Sequence, residues 1–163
     1  MTSDAPVPRW SLAGHAGSWT GSNAFRLMPA DEPHRAPATA TVSVAAGGLL
    51  AAVAYTWPHP QDGAQEGLLV VGTDEQPERA VALWGDSWHQ SPASKSLRGT
   101  VADGTVTVGY TYGGDWEWRI VLDATDPESL GLRMDNVVPA SAAAGGHAAG
   151  AYWAMDARLR RSP

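Results

Sequence analysis

The feature that most limits how this chain can fold is apolar/polar alternation at period two, in short segments that each end at Gly, Pro or Asp. Such a repeat requires extended backbone, in which successive side chains point to opposite faces. The clearest segment is 105–112, where Val106, Val108, Tyr110 and Tyr112 share one face and Thr105, Thr107, Gly109 and Thr111 the other. Beyond Gly113, Gly114 and Asp115, the residues Trp116, Trp118, Ile120 and Leu122 oppose Glu117, Arg119 and Asp123, which predicts an antiparallel hairpin. Asp103 and Gly104 supply a two-residue turn before it. The same reading places strands at 18–27, 38–46, 49–57, 66–72, 80–87, 97–102, 130–137 and 148–160, with turns at Gly47 and Gly48, 58–63, 74–77, Ser91 and Pro92, Asp126 and Pro127, and 139–146. No connection is long enough for a crossover helix. The expected fold is therefore all-β, a meander of about ten antiparallel strands in one domain over residues 1–163. Closure into a barrel would remove the unpaired edges, and a sandwich is the alternative. Pro8 opens an expected short helical turn with Trp10, Leu12 and Ala13, whose apolar side would plug one barrel end.

Charge and composition then exclude several classes of function. Net charge is −6, Lys95 is the single lysine, and the arginines are dispersed, so no basic stripe is available to neutralise phosphates and no nucleic-acid partner is expected. The first residues hold Asp4 and two prolines rather than a basic segment leading into an apolar run. The longest apolar run, 42–55, is interrupted by Ser43, Gly47 and Gly48. Neither a signal peptide nor a membrane span is read. Without cysteine there is no disulfide, thiolate nucleophile or Cys-ligated metal, consistent with a cytoplasmic monomer or homodimer.

Eight Trp and four Tyr against one Phe is the unusual feature of the composition, because an indole joins a large apolar face to a single donor. The densest chemistry lies at 84–89. Alternation puts Trp84, Asp86 and Trp88 on one face and Gly85, Ser87 and His89 on the other. A buried Asp86 needs partners, either a ligand donor or the loop that follows, which it would brace while the indoles form core. Tyr55, Trp57, Tyr110, Tyr112, Trp116 and Trp118 complete an aromatic set able to meet across a lumen. Asn136 is the polar member of a face shared with Leu132 and Met134. The expected function is binding of a small apolar or amphipathic molecule, with no catalysis and no cofactor. The rivals are an enzyme using Asp86 or His89 with Tyr110 or Tyr112 as acid and base, and an interaction module with an inert core. Gly85, Asp86 and Ser87 look superficially like a serine-esterase opening, but no downstream Asp-x-x-His follows. His15, His34, His59, His89 and His147 lack metal-ligand spacing, and His34 and His59, beside prolines, are expected in solvent.

Gly17, Ser18, Trp19, Thr20 and Gly21 resemble the Gly-x-Trp opening of the calycin superfamily, the lipocalin and fatty-acid-binding-protein-like barrels. The resemblance implies that Trp19 sits at a closed end, under an Arg of the last strand, Arg158 or Arg160. With the segments 83–89 and 151–161, the chain resembles an uncharacterised bacterial lipocalin-like family. More distantly it is similar to nitrobindin, which implies haem or nitric oxide carriage through a His of the last strand. Here Tyr152, Trp153, Ala154, Met155, Asp156 and Ala157 contain no histidine, and Met155 reads as core, so the pattern departs where haem would be held.

Overall fold

A computed structural model describes residues 10–89, 93–145 and 148–163. Ten strands follow in sequence: β1 (Gly17–Phe25), β2 (His34–Ala45), β3 (Leu50–His59), β4 (Gly63–Thr73), β5 (Arg79–Asp86), β6 (Lys95–Ala102), β7 (Thr105–Tyr112), β8 (Trp116–Asp123), β9 (Ser129–Val138) and β10 (Gly150–Arg161). Each pairs antiparallel with the next, and β1 pairs with β10 from Trp19 opposite Arg161 to Phe25 opposite Met155, closing the barrel. The sandwich alternative is thereby excluded. Gly21 lies on this closing seam, where a Cβ would overlap the Arg158 carbonyl oxygen. Only glycine lets the first and last strands approach so closely.

The β7–β8 hairpin has the expected faces, with Tyr110 opposite Trp118 and Tyr112 opposite Trp116. Several boundaries shift. β1 stops at Phe25 rather than at residue 27, while β2 begins at His34 and β4 at Gly63, ahead of the expected 38 and 66. Gln65 and Glu66 carry no apolar alternation, yet they pair with Trp57 and Thr56 because ladder hydrogen bonds belong to the backbone. The Ala-rich connection, expected as a turn over 139–146, contains a 3-10 helix at Ala140–Gly145. The first helical turn is also 3-10, at Ala13–His15. Pro8, the Ser91 and Pro92 turn and His147 lie outside the described residues. No helix among the described residues is long and apolar enough to cross a membrane.

Inward residues fill the middle of the barrel: Leu69, Leu97, Ile120, Leu122, Leu130, Leu132, Met134 and Met155 are fully buried. Met155 is core, as its alternation requires. A β-bulge between Trp153 and Met155 keeps the inward face continuous across β10, since Tyr152 pairs with Asn136 before it and Met155 with Met134 after it.

One end is sealed. Trp10 and Leu12 are buried there, and the Trp19 indole donates to the His15 carbonyl at 2.9 Å while stacking on the His15 ring at 5.5 Å. The guanidinium over Trp19, 4.6 Å from the ring centroid, belongs to Arg161 and not to Arg158 or Arg160. Period two explains the correction: Arg161 shares the inward face with Ala157 and Leu159, whereas Arg158 and Arg160 are exposed on the outer face. Arg161 also donates to the carbonyls of Gly14, Ala16 and Pro127, tying the helical turn and the β8–β9 connection to the barrel. Arg161→Ala is expected to lower unfolding free energy by about 1–3 kcal/mol in urea titration, and Trp19→Ala by about 3–5 kcal/mol. Arg158→Ala, which removes an exposed pair with Asp156, should change it by less than about 0.5 kcal/mol.

Candidate functional site at the barrel mouth

The opposite end collects the aromatic residues, because β1, β3, β5, β7 and β9 all end there and β6, β8 and β10 begin there. Its organising group is Asp86, the last residue of β5, whose side chain is fully buried. One carboxylate oxygen accepts from the Tyr55 hydroxyl at 2.8 Å and the Trp57 indole at 3.1 Å. The other accepts from the backbone N–H groups of Trp88 and His89, both at 2.9 Å, and lies 3.2 Å from His89 Nδ1. The Tyr55 oxygen in turn accepts from the Trp84 indole at 2.8 Å. Gly67 makes this possible, since the Tyr55 ring occupies the space that a Cβ there would need.

Burial pushes the Asp86 carboxyl up, but the side-chain hydrogen bond and charge of His89 and the two backbone donors outweigh it and hold it at about 2. Tyr55 is raised well above its ordinary value, by burial first and then by the Asp86 charge, so it stays protonated and donates.

This network decides how the chain leaves β5. Alternation places His89 on the face opposite Asp86. The structure overturns that, because the strand ends at Asp86 and the turn at 87–89 folds inward onto the same carboxylate. His89 then sits among the rings of Trp57, Trp84 and Trp118, at centroid distances of 5.2, 6.2 and 5.0 Å. Trp88 packs edge-on against Phe25, and its indole donates to Asp62 at 2.7 Å. It also stacks at 4.5 Å on His59, which is buried rather than solvated as its proline neighbours suggested. Tyr55, Trp57 and Trp84 are sealed inside the wall at 3%, 1% and 0% exposure.

Across the barrel, Trp118 stacks on Trp84 at 6.1 Å, and Tyr110 and Tyr112 extend the same inward face toward solvent. Trp116 stands on the rim beside Tyr112. The Tyr112 hydroxyl donates to Asn136 Oδ1 at 2.6 Å, Asn136 donates to Tyr152 at 3.0 Å, and Tyr152 donates to the Leu27 carbonyl at 3.1 Å, a chain that latches β7, β9 and β10 together.

Between these walls lies a pocket of about 340 Å³, lined by His89, Lys95, Tyr110, Tyr112 and Trp118. Four of the five were candidates from sequence; Lys95 was not. It starts β6 on the inward face it shares with Leu97, with its ammonium 5.6 Å from the Tyr110 ring centroid. The inward parity of the single lysine was the available signal. Two pocket residues carry a buried polar atom with no hydrogen-bond partner among the described residues, His89 Nε2 and Trp118 Nε1. β10 offers no imidazole, and Met155 is enclosed by core, so the last strand does not fit a haem iron.

Compared with known proteins, the chain matches no family model and no curated sequence. The ten-stranded closed barrel fits a calycin-like architecture.

A carboxyl depressed in the folded state stabilises it above the unfolded value and loses that contribution as pH falls through the folded one. Asp86 should thus supply roughly 2 kcal/mol that disappears between about pH 4 and pH 2. Asp86→Asn, which sets amide hydrogens against existing donors, should cost about 1–3 kcal/mol at neutral pH and flatten the acid limb, as read by urea unfolding across that range.

Proposed function

We propose that the protein binds a small apolar or amphipathic molecule at the open barrel mouth and does not transform it. The observation that carries this reading is the pocket of about 340 Å³ walled by Tyr110, Tyr112 and Trp118, while the other end is closed by Trp10, Leu12 and Trp19. Rings offer area at low entropic cost, and indole and imidazole nitrogens offer direction. Tyr55, Trp57, Trp84 and Asp86 form the scaffold that holds the turn carrying Trp88 and His89, with Trp116 and Asn136 bracing the rim. Titration with methyl 2-naphthoate, followed by Trp emission, should give a saturable change, and Tyr112→Ala should weaken it by about three- to tenfold. Linear, unsaturable responses to both this ester and 2-naphthoate would overturn the reading.

A second reading, an acid–base enzyme, is favoured by one geometry: an ionised Asp86 faces His89 Nδ1 at 3.2 Å, and Nε2, in a pocket with two tyrosines, has no partner among the described residues. A ligand retained through native purification and recovered chemically unchanged after prolonged incubation would eliminate this version.

A further inference from the structure

We infer that the mouth pocket selects a small planar carboxylate, its anionic head held by the Lys95 ammonium and the Trp118 indole N–H; this rests on the mouth being a binding site. Among the described residues Lys95 is the one lining group with a fixed charge, and no carboxylate lines the pocket. Among the described residues Lys95 forms no ion pair. Asp86, the acid beside the pocket, is committed to Tyr55, Trp57, Trp88 and His89. A chain of net charge −6 thus turns its single lysine inward, at a strand position where an apolar residue would have packed. Trp118 Nε1 can only donate, and it is buried without an acceptor among the described residues, a cost that a ligand oxygen would remove.

His89 sharpens the assignment. Its Nδ1 faces a carboxylate that can only accept, so a proton is held on Nδ1 and Nε2 is the ring nitrogen left to a ligand. A polar group elsewhere on the ligand would satisfy that nitrogen, while the ring faces of Tyr110 and Tyr112 contact the apolar body. A long alkyl chain is the wrong shape, because the barrel below the pocket is filled by Leu97, Ile120, Leu122 and Met134.

The test compares 2-naphthoate with its methyl ester on the full chain at neutral pH, by Trp emission and calorimetry. The ester is the more apolar of the two, so an unspecific greasy site would prefer it. The inference expects the acid to bind at least about tenfold tighter, with Lys95→Met bringing the ratio of the two affinities near one and Lys95→Arg restoring the preference. Equal or tighter binding of the ester, or a preference that survives Lys95→Met in a variant melting like the parent, overturns the inference and leaves the mouth reading standing. Failure of both probes overturns both.

Discussion

A carboxylate buried in a barrel wall is tolerable only when every lone pair is met, and the structure around the mouth follows from meeting those of Asp86. Its two oxygens draw donors from three places: the Tyr55 and Trp57 side chains of β3, the backbone of the turn after β5, and the His89 ring. Strand pairing alone would hold β3, β4 and β5 side by side, but it would not say where the chain goes after residue 86. The carboxylate does, by capping the turn so that Trp88 and His89 fold inward over the barrel end. Low local dielectric strengthens each of these bonds and makes a partial set costly, so the network tends to be complete or absent.

The two ends of the barrel solve different problems with similar residues. At the sealed end, Trp19 is enclosed by a stacked His15, a covering Arg161 and a carbonyl for its indole nitrogen, so its own polar atom is met from within the chain. At the mouth, Trp118 is buried and His89 half-buried, and each keeps a polar atom without a partner among the described residues, beside a pocket that also holds a lysine. Packing that is complete among the described residues at one end and leaves a pocket at the other makes the mouth the functional candidate. The filled centre restricts that candidate to a shallow chamber rather than a through-lumen.

Much of the fold was legible, because period two is a local property. The face carrying Val106, Val108, Tyr110 and Tyr112, and its partner carrying Trp116, Trp118, Ile120 and Leu122, could be written down from spacing and pair as written. Alternation also held the answer for the arginine over Trp19, since only Arg161 has the inward parity; the resemblance pointed to the wrong neighbours. Alternation failed where strands end. His89 was assigned to the face opposite Asp86 because the count was carried through a turn, and His59 was read as solvated because its proline neighbours gave no hint of the Trp88 ring that stacks on it.

The sequence by itself determined that the chain is a meander of short strands, that many of its rings fall together on shared strand faces, and that a buried Asp86 needs partners, because these depend on residue type and on spacing of two. Tertiary structure alone decided which residues meet. Closure of β1 on β10 set the curvature that brings β5, β6, β7 and β8 around one mouth, and the Asp86 network turned His89 toward it. Lys95, Trp118 and His89 are far apart in kind and come from three separate segments, so no local pattern links them. They become a site only when a closed sheet converts sequence distance into proximity across a pocket.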